Sequence, residues 1–184
     1  MLEGIKKLHF VGIGGVGMSA IAEVMLDKGY EISGSDLSES AVVKHLKAKG
    51  ATIYKGHDAL NVEGKEALVL SSAIHQDNPE LVAAKAKGLK LFHRSDILAY
   101  LLNDSKGIAV AGAHGKTTTS SMISVVLEHA KVDPTILIGG FVDYLKGNAK
   151  LGKSDYLVAE ADESDGSFLK FYPKIAVVTN IEDD

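Results

Sequence analysis

Short apolar runs alternate with stretches of helical periodicity along almost the whole chain, and glycine closes the first two helical stretches. Lys7–Val11 reads as a strand closed by Gly12. Residues 18–28 follow, with Met18, Ile21, Ala22 and Met25 at helical spacing, and Gly29 ends them. A strand is expected at 31–35, a helix at 38–49 stopped by Gly50, and strands at 51–54, 67–71 and 89–92 with a helix over 78–87 between the last two. This strand–helix alternation predicts a parallel sheet covered by helices on both faces. Turn-forming residues at 103–107 (NDSKG) interrupt the series. A second series then begins: strand 108–111, helix 116–130, and strands 135–138, 156–159 and Ile175–Val178. A length of 184 residues admits one domain or two small ones. The punctuation favours two, at 1–104 and 105–184. The last strand lies so near residue 184 that the second domain is expected to be incomplete.

Composition narrows the function. Hydrophobic residues make up 46% of the chain, enough for a real core. Acidic residues outnumber basic ones, 24 to 20, and a net charge of -4 argues against a broad, non-specific nucleic-acid surface. With no cysteine there are no disulfides, zinc–thiolate sites or thiol nucleophiles. No apolar run approaches the roughly 18 residues of a membrane span, and the N-terminus runs straight into a strand and a glycine loop. A soluble, cytoplasmic protein with no membrane insertion is therefore expected.

The loop Gly12-Ile13-Gly14-Gly15-Val16-Gly17 fits G-x-G-x-x-G, between a strand and a helix as that motif requires. Its glycines permit a tight turn, a close approach to a diphosphate and helix-on-strand packing. A diphosphate would sit on loop N–H groups at the helix N-terminus. Asp36, 19 residues after Gly17, stands where an acid meets a ribose hydroxyl. The pattern specifies a nucleotide diphosphate, and a UDP-sugar satisfies it as well as NAD does.

The run Gly112-Ala113-His114-Gly115-Lys116-Thr117-Thr118-Thr119 is a shorter relative of the P-loop, with Val110 where the longer consensus has its first glycine. Its backbone N–H groups can cradle the phosphates of ATP, Lys116 can reach the β and γ phosphates, and the Thr117 hydroxyl can ligate Mg²⁺. Lysine and three threonines open a helix poorly on propensity alone, so function explains them better than stability. Glu160 ends an apolar strand and is well placed to bind Mg²⁺, directly or through water. Asp162, Glu163 and Asp165 follow it. Residues 179–184 leave the last strand at the same sheet edge and offer further polar groups. The seven histidines form no i, i+4 metal pair, and His114 alone lies inside a motif.

Taken together, HFVGIGGVGMSAIAEVM (9–25), GSD (34–36), SSAI (71–74), GAHGKTTT (112–119), Gly147-Asn148-Ala149, VAEADESDGSF (158–168) and VVTNIEDD (177–184) resemble the Mur ligase family of peptidoglycan synthesis over the whole chain. The loop GIGGVGMS is more similar to members that add L-alanine than to the one that recycles murein tripeptide. The resemblance implies a Rossmann-like parallel-sheet domain for a UDP-sugar, then the start of a P-loop-type α/β ATPase domain, with a C-terminal ligase domain absent. It implies an ATP- and Mg²⁺-dependent ligase joining L-alanine to the lactyl carboxylate of UDP-N-acetylmuramate through an acyl phosphate, and a homodimer of the whole protein. By motif position, Lys116, Asn148 and Glu160 are the implied catalytic residues, with Thr117 and Glu160 on the metal. Residues 112–118 take ATP. The first glycine loop, Asp36, Ser71 and Ser72 take the UDP-sugar. Ala113 departs from the family pattern, which has threonine there. The chain also ends just before a family histidine that serves a metal site.

Four other readings compete. An NAD-dependent oxidoreductase uses residues 12–36 and leaves 112–119 idle. A P-loop NTPase acting on a partner leaves the first loop idle. A bare binding module needs neither reaction. A related Mur ligase adding another amino acid or peptide stays closer to the motifs.

Overall fold

The computed structural model describes residues 1–142, 144–145, 147–161 and 166–182, with only the backbone of Phe141 and Ser167. The chain forms two compact units, Met1–Arg94 and Ser95–Asp184. That division precedes the turn-rich 103–107 segment.

In the first unit β1 (Lys7–Val11), α1 (Val16–Asp27), β2 (Glu31–Asp36), α2 (Ala41–Ala48), β3 (Thr52–Lys55), β4 (Ala67–Leu70), α3 (Pro79–Ala86) and β5 (Lys90–His93) follow in order. A single 3₁₀ turn, Ala59–Val62, lies between β3 and β4. The sheet is parallel throughout, in the order β3-β2-β1-β4-β5. The order in which successive strands are added reverses between β1 and β4, where α/β sheets open a crevice for ligands. Central strands buried on both faces carry nearly continuous apolar runs, and Leu8, Phe10, Val11, Leu68 and Val69 are fully buried. Two helices begin as their sequences require. Ser40 accepts from the Val43 N–H at the start of α2, and Asn78 accepts from Glu80 and Leu81 ahead of Pro79 in α3.

The second unit takes α4 (Arg94–Asn103) from Ser95 onward, then β6 (Lys106–Ala111), α5 (Lys116–His129), β7 (Thr135–Val142), β8 (Gly147–Lys150), β9 (Tyr156–Glu160) and β10 (Ile175–Val178). Its sheet runs β10-β6-β9-β7-β8, parallel except for the antiparallel β7–β8 pair. Two elements were not expected. Helix α4 precedes the 103–107 turn and buries Ile97, Leu98, Leu101 and Leu102. Its end is fixed by tertiary contacts: Asn103 donates to the Lys170 carbonyl (3.0 Å) and accepts from the Tyr172 N–H (2.7 Å), while Lys170 pairs with Asp96. Strand β8 is short, polar and glycine-led, and only pairing with a lengthened β7 makes it a strand. Among the described residues, no helix is long and apolar enough to cross a membrane.

Candidate functional site

The first glycine loop leaves the C-terminal end of β1 and is bound to β2 beside it. The N–H groups of Gly12 and Ile13 both donate to the Ser35 carbonyl, at 2.9 and 3.0 Å. Ile13 is fully buried over Gly34, where a Cβ would lie 2.6 Å from Ile13 Cδ1. The Ile13 side chain therefore belongs to the core, and only its backbone faces the loop. Asp36 accepts from the Gly14 N–H through Oδ2 (2.8 Å) and from the Ser38 N–H and hydroxyl through Oδ1. Gly15 starts α1 without a side-chain cap. The Ser71–Ile74 turn after β4 reaches the same place, because a Cβ on Gly12 would touch Ile74 Cδ1 at 3.5 Å. The loop, Asp36 and the 71–74 turn thus meet at one edge of the sheet. A residue outside the motifs joins them: Arg94 Nη1 would lie 3.2 Å from a Cβ on Gly17. A cavity of about 260 Å³ opens beside Asp36, lined by Ser38, Val43, Lys44, Lys47 and Lys55 among others.

The second loop is held differently. Gly112 has φ +130 and Gly115, which starts α5, has φ +81, both in the left-handed region that favours glycine. Gly112 is also pressed by the segment after β10, since a Cβ there would collide with Thr179 Oγ1 and come within 3.0 Å of the Asn180 backbone. Asn180 clamps the loop through both ends of its amide. It accepts from the His114 N–H and donates to the His114 carbonyl, each at 3.0 Å. The Thr179 hydroxyl donates to the same carbonyl at 2.6 Å. His114 therefore enters through its backbone. Its ring is exposed, 3.7 Å from Glu182. Ala113 is partly buried. Lys116 curls back over the loop and donates to the Gly112 carbonyl at 2.6 Å.

Glu160, at the end of β9, meets the first turn of α5. Its Oε2 accepts from the Thr117 hydroxyl at 3.2 Å, and its Oε1 accepts from the Gly139 N–H (2.9 Å) and the Ser120 hydroxyl (3.2 Å). Gly139 makes room for this, because a Cβ there would lie 2.6 Å from Glu160 Oε2. Two hard oxygens are thereby brought side by side, one neutral and one anionic, a donor set that suits Mg²⁺. Among the described residues no group of three or more His, Asp or Glu side chains could hold a metal. Thr118 is exposed on the first turn of α5, and Asn148 is nearly buried in β8. Asp162, Glu163, Asp165, Asp183 and Asp184 lie outside the described residues. Sequence reasoning missed Ser120, Gly139 and the specific task of Thr179 and Asn180. The last two were legible only as polar residues after a strand.

Comparison with known proteins shows the family to which both halves of the chain are similar. Residues 7–106 match the model of the Mur ligase family, catalytic domain, and residues 110–184 match the Mur ligase middle domain. The UDP-N-acetylmuramate–L-alanine ligase of Hydrogenobaculum sp. (strain Y04AAS1) is 58% identical over 180 residues, which is 98% of this chain and 40% of that protein. That of Dictyoglomus turgidum is 55% identical over 179 residues, 97% of this chain and 39% of that protein. Among solved structures, the UDP-N-acetylmuramate–alanine ligase of Thermotoga maritima superposes with a TM-score of 0.91 at 35% identity, over 97% of this chain and 42% of that one. The UDP-N-acetylmuramate:L-alanyl-gamma-D-glutamyl-meso-diaminopimelate ligase of Neisseria meningitides gives 0.90 at 30% identity, over 98% and 62%. The chain thus spans about two fifths of the length of the curated relatives it matches.

Proposed function

The chain belongs to the Mur ligase family, and from that premise we propose that it supplies the sugar-nucleotide site and part of the ATP site of a ligase joining L-alanine to the lactyl carboxylate of UDP-N-acetylmuramate. The relatives at 52–58% identity carry that name and support the choice of amino acid. We assign 1–104 to the sugar nucleotide and 105–184 to the start of the ATPase domain. The observation that carries the reading is the presence of two separate phosphate-type loops in one chain, the second with the Thr117–Glu160 pair beside it.

The chemistry explains why two nucleotides are needed. A carboxylate resists attack by an amine because the departing group would be oxide. A lactyl carboxylate oxygen attacks the γ-phosphorus of ATP, the bond to the β-phosphate oxygen breaks, and ADP leaves. The alanine amine then attacks the acyl carbon, the C–O bond to phosphate breaks, and the amine proton passes to solvent, giving amide and phosphate. In the first step two anions must meet. Lys116 Nζ, now 2.6 Å from the Gly112 carbonyl, would turn to the phosphates and offset their charge. Thr117 and Glu160 would hold Mg²⁺, which supplies further charge neutralisation at the transferring phosphoryl group. The Gly12–Gly17 loop would hold the UDP diphosphate, Asp36 its ribose, and Ser71 and Ser72 the remainder of the sugar nucleotide. Asn148 is assigned a place near the transferring phosphate.

Calorimetric titration of the 184-residue chain with UDP-N-acetylmuramate, UDP, NAD and ATP tests the reading. Uridine nucleotides should bind and NAD should not. NAD binding without any response to UDP would overturn the assignment of the first loop. With ATP, Mg²⁺ and L-alanine added, the same chain should release no alanine-dependent phosphate. Aligning amine and acyl phosphate can supply roughly 7–11 kcal/mol of barrier lowering, and that alignment is assigned to parts of the longer relatives beyond this chain.

A further inference from the structure

The first unit buries a polar cluster that the proposed reaction does not use. At its centre is Glu80, in the first turn of α3, with no exposed surface. Glu80 Oε1 accepts from the Asn61 amide at 2.6 Å and lies 3.3 Å from His9 Nε2. Glu80 Oε2 accepts the Ser35 hydroxyl at 2.6 Å and lies 3.0 Å from His57 Nδ1. His9 and Ser35 are fully buried too, the Ser33 hydroxyl lies 2.9 Å from His9 Nδ1, and the Tyr54 ring is 6.0 Å from that of His9. Burial pushes the Glu80 carboxyl up, but hydrogen bonds from His9, Ser35 and Asn61 outweigh it and hold the pKa at about 2. An ionised carboxylate only accepts. The Ser35 proton is spent on it, and His57 Nδ1 also lies 2.9 Å from Ser35 Oγ. With two acceptors in front of it, His57 Nδ1 carries a proton.

The cluster reaches the glycine loop through one residue. The Ser35 hydroxyl is tied to Glu80, and its carbonyl receives the N–H groups of Gly12 and Ile13. On the other side the Gly56 N–H, next to His57, donates to the Asp36 carbonyl at 2.8 Å. A buried carboxylate with this many partners fixes the end of β2 in one place, and the loop hangs from that end. We propose that Glu80 is a positioning residue for the diphosphate loop, acting through Ser35, with His57 bracing the same carboxylate oxygen. The inference rests on the reading of that loop as the sugar-nucleotide site.

The test compares UDP with UMP, because loop N–H groups serve a diphosphate more than a monophosphate. The wild-type chain, Glu80→Gln and Ser35→Ala are titrated with both. In each variant UDP affinity should fall about tenfold, the scale of one lost hydrogen bond to a charged group. UMP affinity should change much less. In the free protein the Gly12 and Ile13 amide resonances should move in both variants. The ¹⁵N shifts of His57 should report an Nδ1-protonated ring in the wild type and lose that signature in Glu80→Gln. Should Glu80→Gln fail to fold, Ser35→Ala decides the matter, since it keeps the carboxylate and the backbone carbonyl. An equal fall for UDP and UMP, or unmoved Gly12 and Ile13 amides, would overturn the positioning role. If the wild type binds neither nucleotide, the reading of the loop fails, while the two amide shifts still decide the role of Glu80.

Discussion

The two glycine loops occupy equivalent places, each between a parallel strand and the helix that follows, yet they are secured by opposite means. The first is anchored by its neighbour strand: Ser35 holds Gly12 and Ile13, and Asp36 holds Gly14. It has no cation of its own between Gly12 and Gly17. The second carries Lys116 and is clamped by Thr179 and Asn180, 66 residues away from His114 in the case of Asn180. The first suits a ligand that is bound and kept, since N–H groups and a helix terminus hold a diphosphate without needing its charge to change. Under the proposed function the second would face a phosphoryl group whose charge shifts during transfer, where the Lys116 ammonium and the Thr117–Glu160 pair would act most strongly.

Predictions follow from breaking one loop at a time. The largest effect is expected at Lys116. If the proposed function holds, Lys116→Ala in a ligase of the relatives' length that carries this chain should lower turnover by about 10²–10³, by analogy with loss of one oxyanion donor, and leave UDP-sugar affinity unchanged. Near-normal phosphate release would show that the second loop is misassigned.

Acid should weaken the first unit through Glu80. Glu80 has a folded pKa of about 2, below its ordinary value of 4.5. Its contribution to stability is therefore fully present above about 4.5 and is lost as pH falls through about 2, and it amounts to about 3 kcal/mol. Denaturant unfolding between pH 5 and pH 2 should show the first unit weakening across that window in the wild type. In Glu80→Gln the slope should flatten.

Asn180→Ala removes two hydrogen bonds from the second loop and should cost about 1–2 kcal/mol in the stability of the second unit. In the same longer ligase the KM for ATP should rise, and UDP titration of this chain should be untouched. A change in UDP affinity would break the independence of the loops. The smallest effect is expected on the rim. Lys7 and Glu31 pair at 3.4 Å with both side chains largely in solvent, so Glu31→Ala should shift stability by less than about 0.5 kcal/mol and alter neither ligand.

The local pattern alone determined most of the strand–helix alternation, the parallel pairing of the central strands and the positions of both loops. Such features depend on residues close in the chain: apolar runs, helical spacing and glycine at the junctions. It also placed Lys116, Thr117, Glu160 and Asp36, because each ends or begins an element whose direction the alternation sets. Tertiary structure decided the rest. Strand β8 exists through its pairing with β7, and the end of α4 is fixed by residues 170–172. Asn180 and Ser35 become loop anchors only when distant strands lie side by side. Glu80 is an acid in the first turn of α3, and folding alone surrounds it with His9, Ser35, His57 and Asn61. Periodicity reports which way a side chain faces along its own element. What it meets there depends on strand order, which brings together residues far apart in the sequence.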